Sequence, residues 1–460
     1  MTKNKSELFS GLRDFPSVEI LSGYPQIKRF DNIIPKPLIL KIIKETVANE
    51  KERFRAGDKS ITIEKLTGSI CAEINKLAHQ NLKPVINGTG IIIHTNLGRA
   101  PLAHRHLEDA VEMACGYSNL EYDIYTGKRG KRGILVESLL SSLCGTESGT
   151  MVNNNAAALF VILNTLANRK EVIISRGELV QIGGGFKIPE IMTRAGVKLI
   201  EIGTTNRTSL NDYKKAITSK TKMILKVHRS NFVQSGFVEE TSLKYLAGLC
   251  REHDILLTHD IGSGLMSLPP GFKIKNEPVV SESVQAGADL TCFSGDKLFG
   301  AVQAGLIVGS DKLVKKIKSN PIFRTVRCDK ISFAVMAKIL SLYLQGERFE
   351  EIPIWKMISA TPAELKKRGE AILTAAGKKN IILRASKAYL GGGSTPEQSI
   401  PSLVISIKTK SNPNKFAASF RNFSPPIIGR VENDEFLIDL RTVFPKHDGD
   451  IVAAITYLVN

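Results

Sequence analysis

Ile255-Leu256-Leu257-Thr258-His259-Asp260-Ile261-Gly262-Ser263-Gly264 decides the fold when it is read beside Asp289-Leu290-Thr291-Cys292-Phe293-Ser294-Gly295-Asp296-Lys297-Leu298. Each is a short apolar, β-prone run that ends on polar residues and opens into a glycine-containing turn, the signature of a buried strand. The pattern recurs on both sides. Residues 172–175, 198–202, 223–227 and 305–308 are further strand-like runs, and helical stretches at 156–167 and 243–253 lie among them. Strands alternating with helices predict an α/β fold with a mainly parallel sheet covered by helices. Ligands of such sheets bind beyond the carboxyl ends of the strands.

Outward from this centre the composition changes. Residues 1–80 show apolar residues near helical spacing with Lys and Arg between them, and Pro16, Pro25, Pro35 and Pro37 cut the region into short pieces. This predicts a small basic helical module. Residues 402–407 and 435–440 look like strands of a smaller α+β domain, and residues 361–420 hold 10 Lys/Arg against 3 acidic residues. The expected division is therefore 1–80, 81–345 and 346–460.

The whole chain carries 63 Lys+Arg against 45 Asp+Glu, a net charge of +18. An excess of this size attracts polyanions, although acidic small substrates or a general surface bias would also produce it. No aromatic RNA-binding strand stands out beside it. No run approaches the roughly 20 apolar residues of a bilayer span, and no apolar leader follows the basic start, so no membrane partner and a cytoplasmic location are expected. Six scattered cysteines without a Cys-x-x-Cys pair predict mostly core thiols and no metal site.

Chemistry enters through three features in a fixed order. Asp260 closes a strand, where a carboxylate can pair with the ring nitrogen of a cofactor, although a turn-forming Asp is common there. Lys297 lies in a Gly-flanked loop 37 residues later, where a desolvated amine can form a Schiff base. Upstream, Asn153-Asn154-Asn155-Ala156 reads as a capped helix start able to receive a phosphate. Singly each is weak. In this order they predict pyridoxal 5′-phosphate (PLP) as cofactor, with Lys297 as its lysine.

Longer motifs then make a resemblance specific. They include Pro84-Val85-Ile86-Asn87-Gly88-Thr89-Gly90, His94-Thr95-Asn96-Leu97-Gly98-Arg99-Ala100, Leu120-Glu121-Tyr122-Asp123 with Gly127-Lys128-Arg129-Gly130, and Ser175-Arg176-Gly177-Glu178-Leu179. Gly203-Thr204-Thr205-Asn206-Arg207-Thr208, Gln303-Ala304-Gly305 and Pro425-Pro426-Ile427-Ile428-Gly429-Arg430 follow. In these motifs and their order the chain resembles the bacterial selenocysteine synthase family, the L-seryl-tRNA(Sec) selenium transferases. The resemblance implies a PLP-dependent transferase fold (fold type I, aspartate-aminotransferase-like). It also implies β-replacement of the serine hydroxyl on seryl-tRNA(Sec) with selenium from selenophosphate.

Residue by residue, the resemblance places Lys297 at the Schiff-base lysine and Arg99, Arg324 and Arg327 around the selenium-donor anion. Thr204, Thr205 and Asp212 fall in a segment used between subunits of a homo-oligomer, a decamer, and the N-terminal module falls where tRNA is recognised. The arginines are chemically sensible. An amino acid esterified to tRNA has no free carboxylate to clamp, whereas a phosphate-bearing donor suits guanidinium groups. Two departures stand out: Ala301-Val302 where the family usually has Gly-Pro, and Arg229 and Phe232 where Thr and Tyr are more usual. The rival readings are a PLP-dependent lyase or transferase of a free small amino acid, and a non-enzymatic tRNA-binding relative.

Overall fold

The computed structural model of the chain describes residues 8–80, 82–181, 185, 187–230, 232–272, 274, 277–391, 399–409 and 412–459. It divides into two compact units, residues 1–84 and 85–460.

The first unit is helical. Its long elements are α1 (Lys36–Arg55) and α2 (Ile63–Gln80). Pro35 and Pro37 sit at the start of α1, where a missing N–H costs nothing. Ile39, Ile43, Val47 and Phe54 of α1 and Leu66, Ile70 and Ile74 of α2 are buried at spacings of four and seven residues. That apolar stripe packs with Phe9, Phe15, Leu21 and Ile27 into a core of its own. Lysines cover the edge of this core, with Lys59 Nζ 3.6 Å from the ring centre of Phe54.

The second unit holds a seven-stranded sheet. Its strands are β1 (Ser148–Val152), β2 (Glu171–Ser175), β3 (Lys198–Ile202), β4 (Thr221–Val227), β5 (Leu256–Gly262), β6 (Leu290–Ser294) and β7 (Gly305–Gly309), in spatial order β1-β7-β6-β5-β4-β2-β3. All neighbours are parallel except β7, which runs antiparallel to β6 and β1. Strands β2, β6 and β7 are buried along their whole length. This is why their sequences read as continuous apolar runs instead of alternating ones. The buried helix α3 (Asn155–Ala167) follows β1 directly and packs on the sheet.

A second, five-stranded sheet is built from Ile381–Gly391, Ser399–Lys408, Arg430–Glu432 and Glu435–Asp439, with Ile91–Ile93 at its edge. Ile91–Ile93 pairs in parallel with Ile381–Gly391, and Ile86–Asn87 pairs with Ile427–Ile428. The Asn87–Gly90 motif therefore belongs structurally with the C-terminal strands. Arg430 fixes the join, donating from Nη1 to Thr89 O (2.7 Å) and Asp439 Oδ2 (3.2 Å) and from Nη2 to Ser386 Oγ (2.7 Å). Cys71, Cys144, Cys250, Cys292 and Cys328 are buried and Cys115 is exposed. Among the described residues no helix is long and apolar enough to cross a membrane.

Candidate active site

The carboxyl ends of β4, β5 and β6 and the start of α3 converge on one point. Asp260, near the end of β5, is buried. Burial pushes its carboxyl above the usual range, opposed by a hydrogen bond from Asn155 and by the charge of Lys297. Asn155 Nδ2 donates to Asp260 Oδ1 at 2.8 Å, while Asn155 Oδ1 is buried without a partner. The Asn155 side chain thus acts on the carboxylate. What the helix start itself offers to a ligand is its backbone N–H groups.

Asn154 is the N-cap of α3, accepting from Ala157 N–H at 2.9 Å. The N–H groups of Asn155 and Ala156 make no backbone hydrogen bond among the described residues, so two donors remain at the positive end of the helix dipole. Asn153 N–H donates to Val326 O at 2.9 Å, and Gln303 Nε2 to Asn153 O at 3.4 Å. Gly305 is required here. A Cβ on it would lie 2.2 Å from Asn154 O, so only glycine lets β7 pass under the helix start.

Lys297 follows β6. Burial lowers the pKa of its amine, the charge of Arg99 lowers it further, and Asp260, Asp296 and Glu277 oppose that shift. The lysine is therefore poised toward its nucleophilic, neutral form. Gly262, with φ +73°, leaves a gap in front of it. A Cβ there would lie 3.6 Å from Ser230 Oγ and 3.8 Å from Lys297 Nζ. An aromatic cofactor with a ring nitrogen, a carbonyl and a phosphate fits this set: a buried carboxylate, a desolvated amine, free helix-start N–H groups and a glycine-lined gap between them.

The structure brings Arg99 to the lysine. Its Nη1 donates to Asp296 Oδ2 at 2.8 Å, and Ala100 N–H donates to Asp296 O at 3.2 Å. Arg99 itself holds a left-handed backbone, φ +62°, which costs a non-glycine residue about 1–2 kcal/mol. Arg327 is tied through its neighbour Val326 to Asn153. Its Nη1 approaches Glu121 Oε1 at 3.3 Å, and its buried Nε has no partner. Arg129 and Arg132 reach the same Glu121 carboxylate, each at 2.9 Å. Arg324 is exposed on the short helix Pro321–Thr325 and makes no ion pair among the described residues.

Thr204, Thr205 and Asp212 lie apart from this point, beyond β3. Thr204 N–H closes a turn on Arg207 O (2.9 Å), Thr205 O accepts from Gln234 Nε2 (2.7 Å), and Asp212 caps the helix Leu210–Ala216 through Ser209. Hydrogen bonds from Ser209 hold the Asp212 carboxyl below its usual range. Beside them is a charged cluster that includes one of the sequence departures. Lys226 Nζ contacts Glu178 Oε1 (2.5 Å) and Glu240 Oε2 (3.3 Å), and Arg229 pairs with Glu240.

A mainly parallel sheet that presents Asp260 and Lys297 at adjacent strand ends, with a free helix start opposite, defines the fold type I class of PLP-dependent enzymes. The family described as SelA, L-seryl-tRNA selenium transferase, matches residues 85–444. The chain belongs to that family. An L-seryl-tRNA(Sec) selenium transferase from Campylobacter fetus subsp. fetus is 41% identical over 435 residues, 94% of this chain and 96% of its own length. One from Aquifex aeolicus is 41% identical, covering 92% and 96%, and one from Alkaliphilus oremlandii is 37% identical, covering 99% and 100%. Among solved structures, D-glucosaminate-6-phosphate ammonia-lyase shares the fold with a TM-score of 0.59 at 21% identity, covering 84% of this chain and 97% of its own.

Proposed function

We propose that this chain converts seryl-tRNA(Sec) to selenocysteinyl-tRNA(Sec), with PLP as cofactor and selenophosphate as selenium donor. The observation that carries the reading is the Arg99–Asp296 ion pair on the residue next to Lys297, whose desolvated amine feels the charge of the guanidinium, in a chain of this family. Such a cation serves a phosphate-bearing donor, since a serine esterified to tRNA offers no carboxylate.

PLP, when bound, supplies an electron sink that acidifies the α-proton of an amine held on it. The protein does the rest. Asp260, oriented by Asn155, would pair with the cofactor's ring nitrogen and keep it protonated, and the free N–H groups of Asn155 and Ala156 would take its phosphate, with Asn153 and Asn154 shaping the turn. Lys297 Nζ would take the α-proton of the seryl substrate and return a proton once selenium has replaced the hydroxyl. Arg99, Arg324 and Arg327 hold the donor anion, with Asp296 fixing Arg99.

The basic helical unit at the N-terminus, which we place at residues 1–80, recognises the tRNA. Residues 81–345 carry the cofactor, and residues 346–460 form the smaller α+β domain. Thr204, Thr205 and Asp212 contribute to contacts within a homo-oligomer, a decamer in this reading, and the enzyme works in the cytoplasm. The test is single-turnover conversion of seryl-tRNA(Sec) with selenophosphate, with other seryl-tRNAs as controls. Conversion by wild type and none by Lys297→Ala is expected. Equal product from both proteins overturns the role of the lysine.

A further inference from the structure

His228, half-buried, and Glu277, buried, form an acid–base pair near Lys297 that the reaction outlined above leaves without a task. His228 is the first residue beyond β4, and its backbone N–H donates to Asp260 O at 2.8 Å, so it starts level with the cofactor carboxylate. Its Nε2 lies 3.2 Å from Glu277 Oε2. The Glu277 side chain is only 2% exposed, and its second oxygen is buried without a partner. A carboxylate this enclosed is costly unless a cation or proton donor faces it. The remaining imidazole nitrogen, Nδ1, makes no hydrogen bond among the described residues.

The surroundings narrow what the pair can do. Ser230 N–H turns back to His228 O at 3.0 Å, which puts Ser230 Oγ at the Gly262 gap facing Lys297 Nζ. Glu277 is close enough for its charge to act on Lys297, and His228 acts on both Asp260 and His259. Lys226 on β4 is the further cation felt by His259. Of the other groups here, Asp260 is committed to the ring nitrogen and Asp296 to Arg99, and arginines do not give up protons.

Loss of the seryl hydroxyl needs a proton, because hydroxide is a poor leaving group. The geometry points to His228 as the donor of that proton, with Glu277 as the residue that positions the imidazole. This rests on the function proposed above. Glu277 accepts from Nε2–H and stabilises the imidazolium, leaving Nδ1–H to act, as a carboxylate orients histidine in hydrolase triads. Lys297 takes the α-proton, and the electron pair of the Cα–H bond becomes the Cα=Cβ bond. The Cβ–O bond breaks with its pair on oxygen, the proton from Nδ1 completes a water molecule, and His228 is left neutral.

The test compares two aminoacyl-tRNAs on the PLP-loaded protein, seryl-tRNA(Sec) and β-chloroalanyl-tRNA(Sec), whose chloride leaves without a proton. His228→Gln is expected to slow elimination from the seryl substrate by about 10²–10⁴-fold and from the chloroalanyl substrate by less than about tenfold. Glu277→Gln should lose about tenfold on the seryl substrate alone, as a positioning residue does. Exchange of the seryl α-proton with deuterium should persist in His228→Gln, a readout that also shows the site to be intact. In the wild type the seryl rate should fall at high pH where the chloroalanyl rate does not. Equal losses on both substrates, or none on either, overturn the assignment and leave Lys297 to carry both protons. A wild type that exchanges the α-proton of neither substrate overturns the proposed function itself.

Discussion

Replacing Asp260 with Asn isolates what the buried carboxylate does. The amide keeps the side-chain shape and an oxygen for Asn155 Nδ2, now at 2.8 Å, and removes one negative charge. A hydrogen bond to a charged partner contributes about 1.5–3 kcal/mol more than water would supply. PLP should therefore bind about 10- to 150-fold more weakly to Asp260→Asn. The same change removes a charge that holds the Lys297 pKa up, so the lysine of the cofactor-free protein should react with an amine reagent at lower pH than in wild type.

The assay is titration of cofactor-free protein with PLP, followed by its visible absorbance, and repeated with an analogue carrying carbon in place of the ring nitrogen. Wild type and variant should differ for PLP and converge for the analogue, so that the cycle yields a coupling of about 1.5–3 kcal/mol. Equal PLP affinity in the two proteins, or an undiminished difference with the analogue, would refute the pairing of Asp260 with the ring nitrogen.

Three further expectations follow from single contacts. Gly305→Ala drives a Cβ to 2.2 Å from Asn154 O; it should cost about 1–3 kcal/mol in denaturant unfolding and weaken PLP binding by displacing the start of α3. Tyr343→Phe strands Phe299 O (2.9 Å) and Trp355 Nε1 (3.0 Å) in the core below the lysine loop, and should lower stability by about 1–3 kcal/mol. His259, buried on β5 against Ser283 Oγ at 3.0 Å, has its pKa pushed down to about 3, first by burial and then by the charges of Lys226 and His228. A depressed histidine pKa makes its contribution fully present above the unfolded value and lost as pH falls, so about 2 kcal/mol should disappear between pH 7.5 and pH 5. Equilibrium unfolding of wild type and His259→Gln at the two pH values isolates this loss, which the variant should lack.

How far the sequence carried the fold depends on how each strand is buried. β2, β4, β5 and β6 are flanked on both sides in the sheet and buried, so their apolar runs announced them. β1 is Ser148-Gly149-Thr150-Met151-Val152, too polar and glycine-bearing to read as a strand. Gly149 is small because the Leu140 side chain comes within 3.0 Å of where its Cβ would be. The reversal of β7 was not read either, although its cause is in the sequence. Only ten residues separate Ser294 from Gly305, too few for the helical crossover that a parallel neighbour needs. The pairing of Ile91–Ile93 with Tyr389–Gly391, 298 residues later, left no local trace.

The site divides in the same way. Asp260, Lys297 and the asparagine helix start are legible because each stands at the end of a regular element, where a polar residue breaks a strong pattern. Glu277 stands in an irregular segment beside Pro278, and its partner is 49 residues away, so nothing in spacing marks the pair. Arg99 and Asp296 are 197 residues apart; resemblance suggested the arginine, but only the fold supplies its carboxylate. The sequence departures become readable through backbone bonds. Ala301 N–H donates to Gly295 O at 2.8 Å, whereas Val302 N–H makes no backbone hydrogen bond among the described residues. A proline lacks only that second N–H, so its exchange for Val302 forfeits no pairing and the loop carrying Lys297 keeps its closure. Arg229 is different in kind. It adds a cation to Glu178, Lys226 and Glu240, and so alters the charge of the cluster beside Thr205 while the Asn155–Asp260 hydrogen bond and the Arg99–Asp296 pair next to Lys297 involve none of these residues.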